Sequence, residues 1–211
     1  ANVENVFGRS LSLVTRFRDE HISDNLITWT PAWNEALRED RHIFTACATW
    51  SVKFSIESSD PQQKNLGRWG LMSAPEGNAN LGGTSMGITK TCKDKRLAWE
   101  FLKFATLSTE GARTLNSMGL MTTAKKPYEE DPSLKSYKSR WFGNQDLGIY
   151  YMDHIIPSIK TRTLTSQDGV IHECLWMILN ALNRDGNLSS EEAEELLREE
   201  LQKELKDITV Y

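Results

Sequence analysis

Three short apolar runs, HIFTACATW (42–50), RWGLMSAP (68–75) and TSMGITK (84–90), sit among stretches with helical periodicity. Runs of this length bounded by turn residues predict strands. The second is stopped by Pro75, and the loop EGNANLGG (76–83) leads into the third. On either side the spacing predicts helices. Residues 8–20 place Leu11, Val14 and Phe17 on one face, and a polar break follows at 21–25. Thr30 and Pro31 then supply an N-cap and a first helical residue. Residues 51–67 predict a short helix and a polar loop. From Lys95 to Ala105, Leu97, Ala98, Phe101, Leu102 and Ala105 form an apolar face. Ser108 caps a second helix that Gly119 ends. Residues 120–134 are expected to be extended, turning at Pro127 and Pro132. Helices are expected at 133–145, ending near Gly143, and at 148–158. A strongly buried helix is expected at 168–186, closed by Gly186. An amphipathic, acidic helix at 188–208 is capped by Ser189 or Ser190. Strands alternating with helices place the chain in the α/β class.

The length of 211 residues suffices for one large or two small units with a real core. Net charge is −4, which argues against a nucleic-acid partner. Cys47, Cys92 and Cys174 are isolated and odd in number, so neither a zinc site nor a disulfide framework is expected. Cys47 and Cys174 read as buried small hydrophobes. No apolar run has the length of a membrane span. The opening ANVENVFGRS shows neither a signal peptide nor a clear domain start, and reads as the edge of a fragment.

The motif-like stretches fail on chemistry. In GGTSMGIT (82–89), Gly82 and Gly87 have phosphate-loop spacing, but Ile88 stands where the lysine belongs. Thr84 likewise replaces the second glycine of a dinucleotide fingerprint. Counted from Ala181, a calcium loop finds Asn183, Asp185, Gly186 and Glu192 in register, yet Ala181 offers no ligand oxygen. Helix capping explains the same residues. The four histidines lack metal spacing, so no metal and no cofactor is expected. No nucleophile motif or carboxylate pair stands out, so the chain is not expected to be an enzyme. His172, within an apolar helix, reads as a core histidine or, alternatively, a cleft residue. Trp99 and Trp176 lie on helices expected to pack and are assigned to the core.

The segments in order resemble the extracellular solute-binding proteins of ABC importers. Residues 12–50 resemble the family's helix followed by a strand ending in tryptophan. Residues 67–128 carry the more specific likeness: a strand, a loop with a Gly-Gly pair, a second strand, then Ala98-Trp99-Glu100-Phe101-Leu102-Lys103-Phe104 and a Ser-Thr-Glu-Gly helix. The likeness is closest to the carbohydrate-type, maltose-binding-like branch, and it covers the C-terminal half of such a protein. It implies lobes of the type II periplasmic-binding-protein fold, helix-rich and incomplete beside the two-lobe family fold. Residues 1–75 and 127–211 would belong mainly to the C-terminal lobe. Residues 76–126 would return through the N-terminal lobe and hinge.

The resemblance implies ligand capture by hinge closure, without chemistry. Gly82 and Gly83 would bring backbone amides close to the ligand, with the Thr84 and Ser85 hydroxyls beside them. Trp50 would stack on a sugar face, joined by Trp33 and Trp29. Gln167 and Asp168 would face the cleft, with Asp168 alternatively capping a helix. Lys160, Thr161 and Arg162 leave room for an anionic ligand. The implied partners are a mono- or oligosaccharide and membrane permease subunits, with pairing of chains also expected for an incomplete lobe. The implied location is extracytoplasmic, periplasmic or as a cell-surface lipoprotein. The competing readings are a carbohydrate-active hydrolase or its accessory domain, and a sugar-sensing domain.

Overall fold

The computed structural model describes residues 2–24, 26–39, 41–161, 163–206 and 210. Among them the α-helices in chain order are α1 (Arg9–Asp19), α2 (Pro31–Arg38), α3 (Thr49–Ser51), α4 (Lys95–Leu107), α5 (Thr109–Ser117), α6 (Lys126–Glu130), α7 (Leu147–Tyr150), α8 (Asp168–Arg184) and α9 (Ser190–Glu204). The chain divides into two units, one from Ala1–Ile27 with Arg162–Tyr211 and one from Thr28–Thr161. The sequence expectations at Asn25, Asp40, Arg162, Asp207 and Ile208 lie outside the described residues. No described helix is long and apolar enough to cross a membrane.

The unit built from the chain ends is helical throughout its ordered elements. A π-helical turn at Glu4–Gly8 runs into α1. Leu11 of α1 meets Cys174, Ile178 and Leu182 of α8 and Ala193, Leu197 and Leu201 of α9 in one core. The four-residue spacing within α8 and α9 puts each set on one helical face. Each fully buried leucine contributes about 1.5–3 kcal/mol through removal from water. A reciprocal capping box starts α9: the Glu192 amide donates to Ser189 Oγ at 3.1 Å, and the Ser189 amide to Glu192 Oε2 at 2.9 Å. Helix ends leave carbonyls without partners. Here one Arg18 Nη1 donates to Leu182 O at 3.0 Å and Asp185 O at 2.8 Å at the end of α8, and to Leu188 O at 2.8 Å in the connection to α9. A guanidinium thus fills the turn where the sequence mimics a calcium loop. Asp185 Oδ1 is engaged by the Asn187 amide at 2.9 Å, and Glu192 by the cap.

The central unit satisfies its backbone differently. Among the described residues there is no strand, and the isolated bridge Lys138–Asp146 is the β pairing that occurs. The strands expected at 42–50, 68–75 and 84–90 therefore do not form, and the fold is helix-rich. An extended backbone needs partners for each amide and carbonyl. Residues 67–74 obtain them piecemeal. Gly67 and Trp69 amides donate to Arg140 O and Trp141 O, both at 2.9 Å. The Gln145 side-chain amide imitates a neighbouring strand, accepting from Leu71 N at 2.8 Å and donating to Leu71 O at 2.9 Å. Tyr150 Oη accepts from Ser73 N at 3.2 Å, and Asn78 Oδ1 from Ala74 N at 2.9 Å. Residues 42–48 have no ladder, and Ile43 is 99% exposed.

Three carboxylates organise this unit. Glu57 ends the π-helical run Val52–Glu57 that continues α3. It accepts from Ser139 Oγ at 2.8 Å and Tyr137 Oη at 3.1 Å and pairs with Lys53 at 2.9 Å. Asp146 caps α7 through Ile149 N and also accepts from Tyr137 N and Ser136 Oγ. Asp60 is fully buried and accepts from Lys64 N at 3.0 Å, Asn65 N at 2.8 Å and the Trp141 indole at 3.0 Å. Around them Val52, Ile56, Leu71, Phe142, Leu147, Tyr151 and Ile155 form the core. These side-chain anchors also explain the loss of the helix expected at 133–145. That segment is two 3₁₀ turns, Pro132–Lys135 and Arg140–Phe142, pinned by Asp146 and Glu57.

Other expectations are corrected by the same geometry. Residues 126–130 are helical rather than extended, because Pro127 suits the first turn of a helix. Trp99 and Trp176 are 51% and 62% exposed, so they are not core. The notched face of α4 is uncovered at Leu97, Phe101 and Phe104 as well. Cys174 is buried as expected, whereas Cys47 is only partly so. The expected caps Thr30 and Ser108 do accept from Trp33 N and Gly111 N.

Burial raises the Asp60 carboxyl, but the Asn65 and Lys64 amides and the Trp141 indole outweigh it and hold the group below its ordinary value. A depressed folded value contributes stability that is present above the unfolded value and lost as pH falls through the folded one. Asp60→Asn is expected to cost about 1–3 kcal/mol at neutral pH. It should also flatten the loss of stability below about pH 4. Denaturant unfolding of both proteins across this range checks both effects.

Candidate functional site

The cap of α2 places the first two aromatic side chains. Thr30 Oγ1 accepts from Trp33 N at 3.3 Å, and Pro31 sets the helix start. This fixes Trp33 one turn into α2, with Trp29 just before the cap. Trp29 has φ of 69°, in the left-handed region. For a bulky residue that costs about 1–2 kcal/mol. The conformation brings its indole against two others. Trp29 stacks on Trp50 with ring centroids 5.7 Å apart and planes at 23°. It meets Trp33 at 5.6 Å and 52°. Aromatic pairs of this geometry contribute about 0.5–1.5 kcal/mol beyond burial, close to the cost of the strain.

Trp50 in α3 ties this cluster to the glycine loop. Its indole Nε1–H donates to Leu81 O at 3.3 Å. The next two residues, Gly82 and Gly83, have φ of 74° and 124°. Only glycine takes these values freely, and they let the loop turn directly beside the indole. A Cβ on Gly82 would lie 3.6 Å from Trp50 Nε1, an ordinary contact, so the constraint is conformational rather than steric. Asn80 Nδ2 donates to Gly82 O at 3.0 Å and holds the bend. Thr84 and Ser85 follow and are exposed.

The structure therefore brings together Trp29, Trp33 and Trp50 and, through Leu81 and Gly82, the start of the glycine loop within the central unit. None of these side chains ionises. They offer flat apolar faces beside the backbone at Leu81 and Gly82, with the exposed Thr84 and Ser85 hydroxyls next along the chain, which suits a neutral ligand with an apolar face and a polar rim. Gln167, Asp168 and His172 belong to the other unit. Asp168 accepts from Thr165 N and so closes a local turn at the start of α8. His172 is exposed on α8 and is not a core histidine. Lys160 and Thr161 are exposed, and Arg162 lies outside the described residues. Among the described residues no group of three or more His, Cys, Asp and Glu could hold a metal ion.

Asn80 and the Leu81 carbonyl were not legible as site components. An asparagine in a polar loop carries no signal of its own, and a carbonyl carries none at all. Asn78 is similar. Its Nδ2 donates to Ser158 Oγ at 2.7 Å, and with the Tyr150 bond to Ser73 it clasps the loop at 73–78.

A family model described as bacterial extracellular solute-binding protein matches residues 10–140, more than half of the chain. The chain matches no curated protein and no solved structure. It belongs to the bacterial extracellular solute-binding family. Its role is ligand capture for a transporter, its ligand a small molecule, and its working location outside the cytoplasm.

Gly82→Ala should open the loop by strain alone. Limited proteolysis between residues 79 and 87 is expected to accelerate about fivefold or more. Gly87→Ala, at a residue with ordinary φ and nothing near its Cβ, should cut at the parent rate.

Proposed function

We propose that the cluster of Trp29, Trp33 and Trp50 and the Gly82–Ser85 loop form the site at which a saccharide binds, in the manner of a carbohydrate-type, maltose-binding-like solute-binding protein. One observation carries this reading: the Trp50 indole N–H bonded to Leu81 O, which sets an aromatic surface against an open glycine backbone. A pyranose has an apolar face for an indole and a ring of hydroxyls for amides, Thr84 and Ser85. The absence of any ionisable group among these residues favours a neutral sugar over an anionic solute.

In this reading the chain supplies the C-terminal half of a two-lobe capture protein. Residues 1–75 and 127–211 form most of one lobe, and 76–126 return through the other. The exposed apolar residues of α4, Leu97, Phe101 and Phe104, support that assignment, because such a face gains by being covered. The crossing segments lie near Ser73–Glu76 and Leu120–Lys126. Glu76 and Gly77 have φ of 68° and 136°, a backbone bend suited to a hinge. Gln167, Asp168 and His172 remain candidate ligand residues on the family resemblance alone. Ligand binding favours the closed form through contacts made only there, and that form docks on the permease. A lipid anchor would keep the protein at the membrane surface. Capture of this kind needs no chemistry.

Calorimetric titration with maltotriose, cellotriose and xylotriose, followed by chromatography of the sugar, tests the proposal. Saturable binding with the sugar recovered intact is expected, and Trp50→Ala should weaken it at least tenfold. Shortened sugars would point to a hydrolase. Binding of anionic solutes with no response to any sugar would overturn the saccharide assignment.

A further inference from the structure

We infer that Trp29 is a built-in competitor for the ligand: its indole occupies the face of Trp50 on which a sugar ring would stack, and binding displaces it. The inference rests on the saccharide reading above and adds a control on the same site.

Three observations converge on it. First, the Trp29–Trp50 pair is nearly parallel, at 5.7 Å and 23°, the offset stack that aromatic pairs favour. One face of Trp50 is therefore already taken. Second, Trp29 reaches that position only through a left-handed backbone, φ 69°, which disfavours a bulky residue. The strain opposes the stack, so the occluded arrangement is held by a small margin. Third, Trp29 is 55% exposed and stands outside the Thr30–Trp33 cap. Its backbone can move without breaking the cap of α2, whereas the Trp33 amide is part of that cap. Trp50 stays in place because its N–H is committed to Leu81 O.

The consequence is selectivity. A ligand must present a flat apolar face wide enough to replace an indole. Small acyclic solutes do not meet that demand. The competitor also lowers apparent affinity in proportion to the occluded fraction, about tenfold if nine molecules in ten are occluded.

Circular dichroism reads the coupled indole pair directly, and Trp29→Gly removes the competitor while relieving the left-handed strain. Trp29 also meets Trp33, so the Trp29–Trp50 share of the exciton couplet is the difference between the parent and Trp50→Phe. The ligand-free protein should show that share, and Trp29→Gly should abolish the whole couplet. Saturating maltotriose, cellotriose or xylotriose should remove the Trp29–Trp50 share in the parent protein. Trp29→Gly should bind the effective sugar about threefold to tenfold more tightly. A Trp29–Trp50 share that is missing from the free protein, or that survives saturation, overturns the inference and leaves the saccharide reading standing. Weaker binding by Trp29→Gly also overturns it, making Trp29 part of the platform. No sugar binding by either protein overturns the saccharide reading itself, and the inference with it.

Discussion

Buried backbone groups must find partners, and the central unit meets this demand without a sheet. Glu57, Asp60 and Asp146 each gather two or more donors, and Glu57 and Asp60 draw on the distant Tyr137, Ser139 and Trp141. Gln145 gives Leu71 the two bonds that a neighbouring strand would have given. Hydrogen bonds to charged acceptors are stronger than neutral ones, so a few carboxylates can hold several loops. The position of α3, and hence of Trp50, follows from that network, because Glu57 and Asp60 flank the end of the same helical run.

The binding surface depends on this scaffold at one remove. Trp50 projects from α3, Trp33 from the Thr30 cap, and the glycine loop is fixed to Trp50 through Leu81. Rigid parts and strained parts are separated. Trp33 is held by its backbone amide to Thr30 Oγ1 and Trp50 by its indole N–H to Leu81 O, whereas Trp29 adopts a left-handed conformation to stack. Strain that persists in a folded protein is commonly found where a ligand acts. Selection and displacement at this site would then come from one residue, and shape from the others.

Local signals in the sequence were reliable where the cause was local. Thr30, Ser108 and Ser189 cap helices as their side chains dictate, and the four-residue apolar spacing of α8 and α9 gives the core of the unit formed by the chain ends. The grouping of Trp29, Trp33, Trp50 and Gly82 was anticipated from resemblance, but not the Trp29–Trp50 stack itself. Strand propensity misled at 42–50, 68–75 and 84–90, since a strand is a property of a pair and no partner ladder exists among the described residues. Trp99 and Trp176 misled for a related reason: periodicity shows that a helix has an apolar face, not that something covers it. The Arg18 contacts could not be read at all, because a side chain meeting carbonyls more than 160 positions away leaves no pattern.

The indole N–H resonance of Trp50, identified by its loss in Trp50→Phe, tests the central claim most directly. The account predicts that it exchanges slowly with solvent in the free protein, unlike that of exposed Trp176, and that it shifts when a bound trisaccharide stacks on the ring. Exchange as fast as that of Trp176, with no shift at saturating sugar, would contradict it.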